Sequence, residues 1–248
     1  MGLYYNKLTE VFRLYGYFLV LKENFPSEFS RISDAEQQQL IGKKDNLSGL
    51  NLYHATRNSY YDNICLGLWI LFDRTQNKEG NKRYKKQNQW DAHYHRLLDY
   101  PQILENSIYL KNLSVIESDD QKAQQLDALL LKKAGLNDSE FEKSRKALST
   151  YRNKDLAHQE QYPNSSVVDP ENQRIYPHLD PLMRFAFSFL QILSSTKHRI
   201  IYEGIGINPI WNEGTATISY DAFLRNFREE FTENIKWLGQ NCCIEQPR

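Results

Sequence analysis

Leu8, Val11, Phe12, Tyr15, Phe18 and Leu19 recur at three- and four-residue intervals. That spacing gathers side chains on one face of an α-helix, and Pro26 closes the segment. Ser33 followed by Glu36 has the form of a capping box and predicts a second, shorter helix. A long helix without proline follows from about Leu47 to Phe72, with Leu50, Tyr61, Ile64, Cys65, Leu68, Leu71 and Phe72 on one broad face. The stretch TQNKEGNKRYKKQNQ, residues 75 to 89, has no apolar period and predicts an exposed loop. Helices are expected again over Trp90–Leu98 and, opened by Pro101, over Gln102–Ile116.

Asp119 and Asp120 suit a helix start, and LDALLLKKAG suits its end, with cations in the last turn and Gly135 in the left-handed cap. Asn137, Asp138 and Ser139 offer the next N-cap, for a helix from about Ser139 to Glu160 that Pro163 ends. A polar loop over residues 163–179 leads to Asp180-Pro181, an N-cap followed by proline at the first helical position. Phe185, Phe189, Ile192, Leu193 and Ile200 make the stripe of the helix that follows, and Gly204, Gly206 and Pro209 break it. The last helix runs from about Tyr220 to Leu238 on Phe223, Leu224, Phe227, Phe231 and Ile235, preceded at most by a short strand pair near Ala216–Ser219. The expected fold class is all-α.

At 248 residues the chain can bury roughly 70–75% of its unfolded surface, enough for a substantial core. Thirty-one basic residues balance thirty-one acidic ones, so any polyanion site must be built from local charge. The three cysteines, Cys65, Cys242 and Cys243, form no C-x-x-C pair and no disulfide framework, which points to a reducing compartment, the cytoplasm. No apolar run is long enough for a bilayer and the N-terminus lacks a leader's pattern, so a soluble protein with no membrane contact is expected.

The stretch STYRNKDLAHQEQY, residues 149 to 162, carries the candidate chemistry. At about 100° per residue, Phe141, Leu148, Arg152 and Asp155 fall within roughly 60° of one another, which places Arg152 on the apolar face. A guanidinium there needs a partner, because an uncompensated buried charge costs several kcal/mol. His158 lies about 120° further round and about 9 Å along the axis, too far for one helix to aim both groups at one small substrate. Two antiparallel copies of the helix can bring Arg152 of one protomer and His158 of the other to a shared cleft. The bland alternative is an Arg152–Asp155 ion pair within the helix, with His158 capping its last turn.

An arginine, a polar residue and then a histidine a few positions on, in a long helix of an α bundle, resembles the HEPN superfamily, whose members include metal-independent ribonucleases of abortive-infection and toxin–antitoxin systems. YRNKDLAH, with Asn153 directly after Arg152 and Ala157 directly before His158, and the helix ending LWILFDRT both resemble the abortive-infection branch. The resemblance implies a HEPN-like helical core over about residues 47–203, with helical extensions over about 1–45 and 204–248, in one domain spanning 1–248. It also implies a homodimer that acts on RNA in phage defence or as a toxin, with an antitoxin or regulatory protein as a possible partner. Neither a cofactor nor a metal is called for.

The implied roles agree with what these side chains can do. Arg152, permanently charged and fork-shaped, stabilises a phosphate whose charge grows in the transition state. His158, near a helix C-terminus, serves as acid or base, and Asn153 orients the phosphate or the imidazole. Lys154 is either a surface cation or a phosphate contact. Lys82, Arg83, Lys85 and Lys86, interleaved with Tyr84, form either a solvated loop or a grip on the RNA backbone. The alternative of another class is a non-catalytic HEPN module that binds RNA, nucleotide or a protein partner through the same cleft. Asp91, His93, His95 and Asp99 are metal-ligand types, but on a helix His93 and His95 point about 160° apart. In one HEPN toxin branch a tyrosine two residues after the histidine is modified by a partner enzyme; Glu160 stands there in this chain, a departure from that pattern.

Overall fold

The computed structural model describes residues 2–24, 44–72, 92–152, 175–195 and 218–241. Seven α-helices account for most of them: α1 (Gly2–Asn24), α2 (Lys44–Phe72), α3 (Pro101–Asn106), α4 (Asp119–Ala134), α5 (Asp138–Tyr151), α6 (Leu179–Ser194) and α7 (Tyr220–Asn241). Short 3-10 segments occupy His93–Asp99, Lys111–Leu113 and Tyr176–His178. Among the described residues there is no strand, so the class is all-α. The helix expected near Ser33, the loop over 75–89, the cysteines at 242 and 243 and the continuation of the sixth helix to Ile200 lie outside the described residues.

Local chemistry sets the helix ends. Ser118 Oγ accepts the Gln121 N–H at 3.4 Å at the start of α4, and Gly135 closes that helix at φ 68°, where a side chain would be strained. Asn137 Oδ1 accepts the Glu140 N–H at 2.8 Å and opens α5. Three expectations are corrected. The helix expected over Gln102–Ile116 stops at Asn106, because Ser107 turns to extended backbone (φ −84°, ψ 128°) and its hydroxyl takes the Tyr109 N–H at 3.3 Å. The segment near Trp90–Leu98 winds as a 3-10 turn from His93, with His95 Nδ1 accepting the Ala92 N–H. Asp180 is not the cap of α6, which already begins at Leu179; its carboxylate instead receives Arg184 Nε at 2.7 Å and Tyr220 O–H at 3.0 Å. Ile218 and Ser219, expected near a strand pair, are irregular, and the Ile218 carbonyl accepts Gln191 Nε2 at 2.9 Å.

The chain groups into two compact units, residues 1–10 with 65–220 and residues 11–64 with 221–248. In the first, α6 is the central element, buried nearly all round and packed on α4 and α5. Phe185 stacks on Phe141 with centroids 4.2 Å apart and meets Phe72 and Tyr94 edge-on or tilted at 5.5 and 5.1 Å. Aromatic pairs of this kind add about 0.5–1.5 kcal/mol each beyond area burial. In the second unit, Phe12 meets Phe223 at 5.1 Å, and Phe223 meets Phe227 at 5.2 Å. Phe18 meets Tyr61 at 5.8 Å, and Gly16 lets α1 approach Phe227 closely. Tyr17 donates to Glu230 at 2.7 Å; burial, this bond and the carboxylate's charge push the phenol up to about 12.

Candidate functional site

α5 presents two different faces. Phe141, Ser144, Leu148 and Tyr151 are buried on its inner side, while Arg152, the C-cap, is exposed with its N–H on the carbonyls of Leu148 and Ser149. This corrects the expectation of an arginine on the apolar face. Ser144 and Tyr151 draw the centre of the buried stripe about 60° away from Arg152. The guanidinium leaves the core and lies over the indole of Trp69 on α2, 5.3 Å from its centroid, within cation–π range. Leu66, three residues before Trp69, lies on the same side of α2, whereas Ile70 is about 100° round from the indole; each is 42% exposed. Arg152 and Trp69 thus form a cation–indole pair, with exposed Leu66 on the same side of α2.

The other expected site residues, Asn153, Lys154 and His158, and the basic stretch Lys82, Arg83, Lys85 and Lys86, lie outside the described residues, as does Asp155. Of the expected constellation the structure describes Arg152 alone.

Two polar clusters in the same unit were not anticipated. On the 3-10 turn and α4, Tyr94 O–H donates to Asp127 Oδ1 at 2.6 Å, and His95 Nε2 lies 2.8 Å from the same oxygen. Because His95 Nδ1 accepts the Ala92 N–H, the ring proton sits on Nε2 and is donated to the carboxylate. Asp127 Oδ2 is buried without a hydrogen-bond partner. Burial, then the adjacent carboxylate and its hydrogen bond, hold the Tyr94 phenol well above its ordinary value. All three side chains are buried, so the cluster ties the 3-10 turn to α4 and presents nothing to a ligand. His95, weighed as a metal-ligand type, is thus committed to Asp127. Among the described residues no group of three His, Cys, Asp or Glu side chains could hold a metal ion.

The second cluster joins α5 to the turn before α6. Ser144 Oγ donates to the Glu140 carbonyl at 2.9 Å, which spends its only proton, and so accepts from His178 Nδ1 at 3.0 Å. The proton on Nδ1 leaves Nε2 as the acceptor nitrogen. Burial and the Lys143 ammonium lower the His178 pKa, which favours the neutral ring. Ser144 and Arg152 are about 12 Å apart along α5, so His178 stands roughly two turns from the guanidinium and is not in one constellation with it.

A signal for Asp127 was present in the sequence as a lone carboxylate inside LDALLL, where a helix buried on that face must supply it a donor. Trp69 gave none, since a tryptophan within LGLWILF reads as core. No family model matches the chain, and neither a curated protein nor a solved structure matches it.

Proposed function

We propose that this chain is a homodimeric, metal-independent endoribonuclease of the HEPN kind, a phage-defence effector or toxin that cleaves RNA through Arg152, Asn153 and His158. The observation that carries the proposal is Arg152, an exposed, always-charged fork at the end of a rigid helix, oriented by an indole. Such a group suits a phosphodiester, because a guanidinium is planar, permanently charged and able to give two parallel hydrogen bonds to phosphate oxygens. The motif YRNKDLAH, with its likeness to the abortive-infection branch, supplies the rest.

The chemistry needs few parts because RNA carries its own nucleophile. The 2′-hydroxyl gives up its proton to a base and its oxygen attacks the adjacent phosphorus. The bond to the 5′-oxygen breaks, and that oxygen takes a proton from an acid. The products are a 2′,3′-cyclic phosphate and a 5′-hydroxyl. His158 is the acid or base, Arg152 stabilises the charge that grows on the phosphoryl oxygens, and Asn153 orients the phosphate or the imidazole. Arg152 of one subunit and His158 of the other line one groove.

A fluorescent RNA incubated with the protein in excess chelator is expected to be cut to fragments with those ends. Arg152→Ala and His158→Ala should each lower the rate by at least about a hundredfold while the circular dichroism spectrum is unchanged. Binding without turnover would favour a non-catalytic module in the same cleft. Cleavage at the wild-type rate by His158→Ala would remove that residue from the mechanism.

A further inference from the structure

His178 has one ring nitrogen committed and one open. Nδ1 donates to Ser144 Oγ at 3.0 Å, and that hydroxyl, wholly buried, has already given its own proton to the Glu140 carbonyl. The ring is therefore held as the tautomer with its lone pair on Nε2. Nε2 has no hydrogen-bond partner among the described residues and is not shut away from solvent. A neutral imidazole with a bare, accessible nitrogen is a nucleophile that needs no separate base, since no proton has to leave before the new bond forms.

The charges around the ring indicate which electrophile suits it. Lys143, beside Ser144 on α5, is exposed and holds its ammonium near enough to the ring to disfavour a further positive charge there. His178 is also the N-cap of α6, and a helix carries partial positive charge at that end. Both features attract an anion. Asp180, the carboxylate of the same turn, is already held by Arg184 and Tyr220. A dianionic phosphoryl group gains from the ammonium and from the helix end, whereas an uncharged acyl or alkyl group gains from neither.

We propose that His178 Nε2 is a phosphoryl-acceptor site, phosphorylated by a small donor of the acyl phosphate class. The Nε2 lone pair forms the N–P bond as the bond from phosphorus to the acyl oxygen breaks, and that oxygen leaves with the electron pair as a carboxylate. Nδ1 keeps its proton on Ser144, which makes Ser144 a positioning residue. The site stands apart from the ribonuclease reading, about two turns along α5 from Arg152.

The test incubates the full chain with acetyl phosphate and locates acid-labile phosphate by mass spectrometry under alkaline conditions, with the chain in denaturing urea as the reference for an unassisted histidine. His178 is expected to be labelled at least about threefold faster in the folded chain than in urea. Phosphorus NMR should show the Nε2 isomer alone. Lys143→Gln should slow the labelling about two- to fivefold and Lys143→Arg should restore it. Ser144→Ala should yield some of the Nδ1 isomer, which a purely structural role for the hydroxyl would not produce. Lys143 is exposed, so its two variants keep the test decisive if Ser144→Ala does not fold. Phosphate on Nδ1 of the wild-type ring, a folded rate no greater than that in urea, or an unchanged rate in Lys143→Gln would each overturn the proposal.

Discussion

Single polar side chains in the first unit are held in defined states by the bonds they make. Asp127 Oδ1 receives both the Tyr94 hydroxyl and the His95 ring, and the ring's other nitrogen receives a backbone N–H, so one carboxylate fixes a tautomer and a turn together. His178 is fixed by one hydroxyl in the same way, on Nδ1, but in a half-buried place where burial and Lys143 disfavour its charge. Its folded pKa lies below the ordinary value of 6.5. Between those two values the unfolded chain binds more protons than the folded one, so stability falls as pH drops through about 6.5 and levels off beneath the folded pKa. Urea midpoints at pH 7.5 and 5.5 should therefore fall further for the wild type than for His178→Gln. An equal fall in both would show that His178 does not carry this part of the pH dependence.

Between elements, the close approach at Gly16 is the sharpest constraint in the second unit. A Cβ there would come within 2.7 Å of the Phe227 Cβ, shorter than side-chain carbons allow. Gly16→Ala gains about 1 kcal/mol in helix propensity and loses about 1–3 kcal/mol to overpacking. A lowered urea midpoint is the expected net result, and a raised one would mean that α1 and α7 move apart at no cost. Helices with a strong period and local caps were readable in the sequence: α1, α4 with Gly135, the start of α5 at Asn137 and the stripe of α7 from Phe223 to Phe231 stand where periodicity and capping chemistry put them, whereas Ile235, expected on that stripe, is 51% exposed. Readings failed where a side chain competed with the backbone, at Ser107, His95 and Asp180, because the partner in each case is set by tertiary or turn geometry that no window of sequence holds. Arg152 was misplaced for a related reason. Phe141 and Leu148 alone put the inner face beside Arg152, but Ser144, polar and buried against His178, and Tyr151 turn that face away from it.

For the whole molecule, equal numbers of acidic and basic residues mean that RNA would be drawn to this protein by a local cation and not by a general field. Among the described residues no helix is long and apolar enough to cross a membrane. The proposed chemistry depends on assembly, since one helix cannot aim Arg152 and His158 at the same phosphate. Mixing two inactive variants tests this directly. If each groove takes Arg152 from one subunit and His158 from the other, a dimer of Arg152→Ala with His158→Ala keeps one complete groove. Equal amounts of the two, unfolded and refolded together, should then recover about a quarter of the wild-type RNA cleavage rate, since half of the dimers are mixed and each has one of two sites. A mixture as inactive as either variant alone, with mixed dimers demonstrated by mass spectrometry, would contradict the shared groove.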